Sequence, residues 1–183
     1  MATELEKMLA GGPYDATDPD LVARRRHCQA ILREFNRLEE QPLLDTPLGG
    51  LFAEVGDRAY IQAPFICDYG FNITIGADSF INFGGIVLDS SPVIIGEHVQ
   101  IATGVQLLTA EHPLEPAERR AKVELNRPVV IEDNVWIGAG AIVCPGVTVG
   151  EDSVIGAGSI VTRDIPAGVL AVGNPCRVVR ELP

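Results

Sequence analysis

Residues 130–163 read VIEDNVWIGAGAIVCPGVTVGEDSVIGAGSIVTR, and their apolar spacing is the strongest indication of the fold. An aliphatic side chain returns in it at every sixth position, at Ile131, Ile137, Val143, Val149, Ile155 and Val161. Helices repeat every ~3.6 residues and ordinary strands every two, so neither explains this period. A period of six fits one flat side of a prism-shaped coil that carries one inward aliphatic residue on each side. Stacked coils of this kind bury the aliphatic residues as a continuous column.

The same period extends toward the N-terminus in two shorter runs, at Ile75, Ile81 and Val87, and at Ile95, Ile101 and Leu107. Small residues that let the backbone turn a corner often follow the aliphatic positions, as at Gly76, Gly96, Ala102, Gly138, Gly150 and Gly156. Between Val87 and Ile95 the spacing is eight, which predicts a bulge of two extra residues near 90–92. We therefore expect a mainly β protein with a parallel β-helix over residues 59–183.

The segment before the repeats, residues 1–58, has the pattern of a helical extension. Asp18 followed by Pro19 is typical of an N-cap and a first helical residue. Apolar residues then recur at helical spacing, at Leu21, Cys28, Ile31, Leu32, Phe35 and Leu38. We assign the arginines of this helix to its solvent face: Arg24, Arg25, Arg26, Arg33 and Arg37. Residues 51–54 are a candidate for a further short helix.

Two later segments depart from the repeat. Residues 109–127 are rich in charge and have no periodicity. A solenoid tolerates insertions at one edge, so we expect these residues to form one long loop. Residues 176–180 follow the last repeat and are expected to form a closing strand.

Charge excludes two classes of partner. The formal net charge is −11, whereas nucleic acids and anionic membranes are bound by basic surfaces. No apolar run reaches the ~18 residues that span a bilayer. In residues 128–183 the basic residues are Arg163, Arg177 and Arg180, so this end of the chain is a candidate for binding an anion.

The cysteines Cys28, Cys67, Cys144 and Cys176 lack the spacing of a zinc site or a redox pair. The sequence opens with Met1-Ala2-Thr3-Glu4 and shows no apolar signal segment. We therefore expect reduced thiols and a cytoplasmic location.

Several motifs resemble the maltose and galactoside O-acetyltransferases, which are hexapeptide-repeat acyltransferases. The resemblance rests on CDYGFNI at 67–73, DNVWIG at 133–138, IGAGS at 155–159 and GNPCRV at 173–178. EKMLAG at 6–11 resembles the helical extension of the maltose-type members. The resemblance implies a left-handed parallel β-helix that transfers acetyl from acetyl-CoA to a sugar hydroxyl without a metal. It also implies a homotrimer whose active sites lie between subunits.

Two residues match the family's catalytic groups. His112, which precedes Pro113 in the long loop, matches the general base. From the residues alone, a loop histidine is more often simply solvated. Imidazole ordinarily titrates near ~6.5, which suits removal of a proton from a hydroxyl that then attacks the thioester directly. Asn82 matches the asparagine that orients the hydroxyl, and the alternative is a turn residue at a corner.

The acceptor is less well defined than the chemistry. Asp68 and Glu124 match acceptor-binding positions of maltose-type members, with surface charge as the alternative for both. Phe80 stands where galactoside-type enzymes have a tyrosine, and we expect it to contact the acceptor. Ser90 stands where they have an aspartate, with Asp89 adjacent. The acceptor is a sugar on this interpretation; the alternatives are an oligosaccharide, a serine hydroxyl and an antibiotic.

The resemblance also supplies candidates for coenzyme A binding: Ala139, Ala157, Thr162, Arg163, Arg177, Arg180 and Trp136. The two alanine amides match those that bind the pantetheine arm, and the Ala139 amide is the candidate oxyanion donor. Thr162 and Arg163 match a threonine–lysine pair of the family. Arginine in place of lysine keeps the positive charge but changes the geometry of its hydrogen bonds. The C-terminal arginines match bases at the nucleotide end. The tryptophan lies beside the arm or, alternatively, fills a subunit contact.

Two rival classes fit less well. The carbonic anhydrase of this fold binds zinc through three histidines, and the three here include His27 on the helical extension and form no His-x4-His pair. A non-enzymatic scaffold such as an ice-binding protein needs a regular outward array of threonines, which is missing, and it leaves the loop histidine unexplained.

Overall fold

The six-residue period forms a parallel β-solenoid of about six turns, which confirms the predicted mainly β, hexapeptide-repeat fold. This computed structural model describes residues 2–38 and 41–183. Residues 1, 39 and 40 of the predicted helical extension lie outside that description. Among the described residues, no helix has the length and apolar character needed to cross a membrane.

The coil has three faces, each a parallel sheet, and the strands are numbered along the chain. Face 1 contains β2 (Glu54–Val55), β5 (Ile73–Ile75), β8 (Val93–Ile95), β13 (Val129–Ile131) and β16 (Thr148–Val149). Face 2 contains β3 (Tyr60–Ile61), β6 (Phe80–Ile81), β9 (Gln100–Ile101), β14 (Trp136–Ile137), β17 (Val154–Ile155) and β19 (Val169–Val172). Face 3 contains β4 (Phe65–Cys67), β7 (Gly85–Leu88), β10 (Gln106–Leu108), β15 (Ile142–Val143) and β18 (Ile160–Val161). The predicted closing strand is confirmed as β20 (Arg177–Glu181), which pairs antiparallel with β19.

The inward residues form continuous columns, as the period requires. On face 2, Ile81, Ile101, Ile137 and Ile155 stack in register, and each is at most 2% exposed. Burial of one such side chain contributes about 1.5–3 kcal/mol. The columns therefore form the main hydrophobic core of the coil.

The small residues after the aliphatic positions have a different cause from the one expected. Gly138 does not have a positive φ; a Cβ on it would lie 2.5 Å from the backbone nitrogen of Ala157 in the next coil. Positive φ occurs two residues later, as at Asp78 and Gly140. Close stacking of coils, rather than conformational freedom, thus selects glycine at position 138.

The N-terminal extension contains α1 (Glu4–Leu9) and α2 (Pro19–Phe35), and Asp18 caps α2 as predicted. Cys28, Leu32 and Phe35 of α2 pack on the first coil. The predicted helix at 51–54 is wrong, because Glu54 already pairs with Thr74 in face 1 and the short helix is instead a 3-10 turn, Leu43–Asp45. The coil thus begins before residue 59.

One edge of the coil, between face 3 and face 1, carries the excursions that interrupt the repeat. We call it the excursion edge, and it consists of residues 68–72, 89–92 and 109–128. The extra pair expected near 90–92 is confirmed, since Asp89 and Ser91 are additional buried positions between Val87 and Ile95. The long insertion is an ordered hairpin of β11 (Ala110–Glu111) and β12 (Val123–Asn126), with α3 (Pro116–Arg120) between them. In addition, β1 (Tyr14–Asp15) pairs with β12, so the N-terminal extension joins this edge.

Candidate active site

A cleft of about 290 Å³ opens on the excursion edge, under the sheet of β1, β12 and β11. It brings together two predicted acceptor residues, Asp68 and Glu124, which are far apart in sequence. Ser90 lines the same cleft, and its hydroxyl lies 3.2 Å from that of Thr109. Four further polar residues line the wall: Tyr14, Thr17, Arg25 and Tyr69.

The carboxylates of the cleft are held in a partly dry environment. Burial raises the pKa of Asp68 above its ordinary value; Arg25 opposes this shift, and the charge of Glu124 adds to it. The Tyr14 hydroxyl donates to Glu124 over 3.0 Å, and burial raises the pKa of this tyrosine. The cleft therefore offers one carboxylate that is already hydrogen-bonded and another, Asp68, that faces it.

Arg25 is a correction to the predicted solvent face of α2. Its guanidinium donates to the Tyr69 hydroxyl and to the Ala16 carbonyl, and it lines the cleft. The spacing alone does not distinguish it from Arg24, because both arginines lie three or four residues from Leu21 and from Cys28. In the structure Arg25 is partly buried, whereas Arg24 and Arg26 are exposed as predicted.

Asp89 lies directly behind the cleft and is fully buried. Burial raises its pKa to about 6; the Tyr69 amide opposes the shift, and the charge of Asp68 adds to it. A buried carboxylate must be hydrogen-bonded, and here the donors are backbone N–H groups of the neighbouring turn, residues 68–72.

This raised pKa predicts a specific pH dependence of stability. The folded pKa of Asp89 lies above the unfolded value of about 3.9, so the native state binds the extra proton between them. The stability that this protonation contributes is lost as pH rises from about 4 through about 6. We expect the free energy of unfolding of Asp89→Asn, relative to the unsubstituted protein, to rise by about 2–3 kcal/mol between pH 4 and pH 7. Urea unfolding at one fixed protein concentration measures this difference, and a pH-independent difference would contradict it.

His112 projects from the hairpin and is exposed. Its neighbours are fixed: Glu111 forms a two-point ion pair with Arg127, and Arg119 donates to the Pro113 carbonyl over 2.9 Å. Within the described part of the chain, the imidazole itself has no hydrogen bond or ion pair. The His112 imidazole is thus available to act as a base, its backbone is fixed by neighbouring contacts, and it lies on the same edge as the cleft.

Asn82 lies on a different edge, between face 2 and face 3. We call this the alanine edge, since Ala139 and Ala157 occupy equivalent positions there in successive coils, one residue further along than the positions equivalent to Asn82. The Asn82 side-chain oxygen accepts from the Phe83 amide over 2.8 Å, which fits the alternative role of a turn residue. Within a single chain, therefore, Asn82 and the excursion edge are not brought together.

The alanine edge has the features expected of a groove for an amide-rich ligand. Ala139 and Ala157 are exposed, and among the described residues their N–H groups donate to no protein acceptor. Trp136, beside them on face 2, is 54% exposed. Phe80 lies on the same face, half-buried and stacked on Tyr60 at 5.6 Å between ring centroids.

The remaining candidates lie at the C-terminal end of the coil. Thr162 and Arg163 follow β18, and Arg177 and Arg180 lie on β20, all of them exposed. The guanidinium of Arg177 touches the carbonyl of Cys176, and both arginines keep donors for a ligand. In the described residues, no group of three or more His, Cys, Asp or Glu side chains is arranged to hold a metal ion.

The stacked coils define a hexapeptide-repeat fold, and similar proteins of this fold are acetyltransferases. The structure is similar to that of a maltose O-acetyltransferase from Clostridium difficile 630, with a TM-score of 0.96 and 44% identity over 100% of this chain and 98% of that one. The chain belongs to the maltose and galactoside O-acetyltransferase family, and it is an acyltransferase.

Other comparisons agree with this membership. Residues 7–56 match the maltose acetyltransferase hexapeptide capping motif, and residues 128–163 match the bacterial transferase hexapeptide with six repeats. A hexapeptide-repeat acetyltransferase of Vibrio cholerae complexed with acetyl coenzyme A has a TM-score of 0.92 and 37% identity, covering 100% of both chains. A galactoside acetyltransferase in complex with coenzyme A has a TM-score of 0.93 and 37% identity, covering 100% of this chain and 92% of that one.

Proposed function

We propose that this protein transfers the acetyl group of acetyl-CoA to a hydroxyl of a sugar. The observation that carries the proposal is the placement of His112: exposed, unengaged and on the same edge as a polar cleft. Two similar structures, one named for acetyl coenzyme A and one for coenzyme A, support the donor. The names of maltose and galactoside acetyltransferases support a sugar acceptor.

The chemistry needs no covalent enzyme intermediate. His112 removes the proton from the acceptor hydroxyl as its oxygen attacks the thioester carbonyl carbon. The negative charge that develops on the carbonyl oxygen is stabilised by a free amide such as that of Ala139. When the intermediate collapses, the carbon–sulfur bond breaks and the proton on His112 passes to the departing thiolate. Cys144 is not needed as a nucleophile, and burial raises the pKa of its thiol.

The two edges meet in an oligomer. His112, Asp68 and Glu124 lie on the excursion edge, whereas Asn82 and Ala139 lie on the alanine edge of the same prism. A rotational assembly that sets one edge of each subunit against the other edge of its neighbour completes a site at every contact. We propose a homotrimer of this kind. Outward apolar side chains such as Ile66 and Ile94, which are 53% and 43% exposed, support association.

Coenzyme A is proposed to lie along the alanine edge. Its pantetheine amides meet Ala139 and Ala157, Trp136 flanks the arm, and the phosphates reach the positive charges of Arg163, Arg177 and Arg180. Arginine suits this end because its planar group binds phosphate at two points.

This placement predicts a selective loss of donor affinity. Replacing Arg177 and Arg180 together by alanine is expected to raise KM for acetyl-CoA by about 10-fold or more, since each charged hydrogen bond contributes ~1.5–3 kcal/mol. Both residues lie on β20 in face 2, and neither lines the cleft, so KM for the sugar should change by less than about twofold. Initial rates measured against each substrate in turn decide the matter. Equal changes in both constants would argue against these residues.

The acceptor can be identified by turnover. Release of free coenzyme A thiol is measured across mono- and disaccharides, with serine and chloramphenicol as non-sugar hydroxyls. We expect turnover with at least one sugar, because the cleft presents carboxylates and tyrosine hydroxyls that hydrogen-bond to several hydroxyl groups at once. Turnover confined to serine or chloramphenicol would contradict the sugar assignment.

We also propose a cytoplasmic location. All four cysteines are free thiols, although Cys28 and Cys67 approach to 3.5 Å between their sulfur atoms. A reducing compartment keeps such a pair unlinked, and it is also the compartment that supplies acetyl-CoA.

A further inference from the structure

Asp89 binds the turn that forms the floor of the cleft. One carboxylate oxygen accepts the backbone N–H groups of Asp68 and Tyr69, over 3.0 and 2.8 Å. The other accepts the N–H of Asn72, over 3.4 Å. The Asn72 side-chain amide returns a hydrogen bond of 2.8 Å to the Asp89 carbonyl. We call Asp89 together with residues 68–72 the aspartate clamp.

The clamp acts where two consecutive coils meet. Asp89 is the extra inward residue of its coil, and the turn it binds belongs to the coil before it. The two residues whose amides it holds both line the cleft with their side chains. The direction in which Asp68 and Tyr69 project into the cleft thus depends on a carboxylate that does not itself line it.

We propose that Asp89 is the positioning residue of the acceptor site, which fixes where Asp68 and Tyr69 meet the acceptor hydroxyls. The proposal rests on the proposed function, since it concerns how that site binds its sugar. A shift of ~1 Å in a positioned group can lower the rate by about 100-fold. A rigid support behind the cleft therefore matters, because it fixes the residues that hold the acceptor. The requirement for two acceptor oxygens explains why a buried charge is placed in this corner.

The position also bears on the acceptor-facing residue Ser90. Its neighbour Asp89 points inward to the turn, so the negative charge of this pair lies behind the cleft rather than within it. Ser90 lines the cleft with a neutral hydroxyl. The charged side chains that line the cleft are therefore those of Asp68, Glu124 and Arg25.

The test is Asp89→Asn, which keeps the shape and replaces one acceptor oxygen by an NH2 group that faces a backbone N–H. KM for the sugar acceptor is expected to rise about 10-fold or more, while KM for acetyl-CoA stays within about twofold. Asp133→Asn is the matched control, because the Asp133 carboxylate also accepts a backbone N–H, that of Glu97, on another edge and at 2.8 Å. This control should change neither constant.

A second variant guards against a folding defect. Asn72→Ala removes only the returning hydrogen bond and keeps the backbone amide, so it should raise the acceptor KM in the same direction by a smaller factor. An Asp89→Asn enzyme with the acceptor KM of the unsubstituted protein overturns the proposal. Equal rises in both KM values, or an Asn72→Ala enzyme without any rise, also overturn it. Failure of the proposed function is distinguishable, because the unsubstituted protein would then acetylate no sugar.

Discussion

Replacing His112 by alanine is expected to lower kcat by at least about 100-fold and to leave the melting temperature unchanged. A positioned general base contributes about 10²- to 10⁴-fold, and no other described imidazole lies on the excursion edge. The side chain is exposed and makes no hydrogen bond among the described residues, so its removal costs no packing. Thiol release under saturating acetyl-CoA and sugar gives kcat, and a thermal melt gives the stability.

His98→Ala is the matched control for that result. His98 is also exposed, lies on a different corner of the coil, and approaches Asp78 at 3.9 Å. Its replacement should leave kcat within about twofold. A His112→Ala enzyme that retains near-full activity would show that His112 is not the general base.

Replacing Ile155 by alanine is expected to cost about 2–5 kcal/mol of folding stability. Ile155 is fully buried and stacks between Ile137 and Ala171 in the column of face 2. Its neighbour Val154 points outward on the same strand and is only partly buried. Val154→Ala should therefore cost less than about 1 kcal/mol of folding stability, and it serves as a control on the same strand.

Urea unfolding of both variants at one fixed concentration measures the two costs. The large difference between adjacent residues follows from the alternation of inward and outward side chains along each short strand. If Val154→Ala were as damaging as Ile155→Ala, the assignment of inward positions by the six-residue period would be wrong.

The fold could be predicted from the sequence because the same pattern, an inward aliphatic residue at every sixth position, recurs many times. Each inward aliphatic residue of the long run, Ile131 to Val161, is fully buried or nearly so. The eight-residue gap after Val87 correctly predicted extra residues at that corner. The glycine positions were predicted with the wrong cause, because a close approach between coils is a tertiary contact that no local pattern shows.

The hairpin at 109–127 could not be predicted as an ordered element. Its strands are short, and β12 is paired on its second side by Tyr14 and Asp15, from a distant part of the chain. Such pairing over about a hundred residues leaves no periodicity in the sequence. The start of the coil at Glu54 was missed for a similar reason, since a two-residue strand is specified by its neighbour, Thr74 and Ile75, rather than by itself.

The site was only partly accessible from sequence. The resemblance led to Asp68 and Glu124, and the structure places both in one cleft. Arg25 could not be separated from Arg24 by spacing, because its contacts with the Tyr69 hydroxyl and the Ala16 carbonyl are tertiary. The roles of Tyr14 and Asp89 at the site were not predicted, since they act through a strand pairing and through backbone amides of another coil.

The most direct test of the central claim is complementation between two inactive enzymes, His112→Ala and Asn82→Ala. They are produced together with different tags, and the mixed oligomers are isolated and assayed for thiol release with acetyl-CoA and sugar. If the base and the asparagine of one site come from different subunits, each mixed trimer has about one site in three with both residues intact. We predict that the mixed oligomers recover roughly that fraction of full activity. Mixed oligomers no more active than the separate variants would contradict a site shared between subunits.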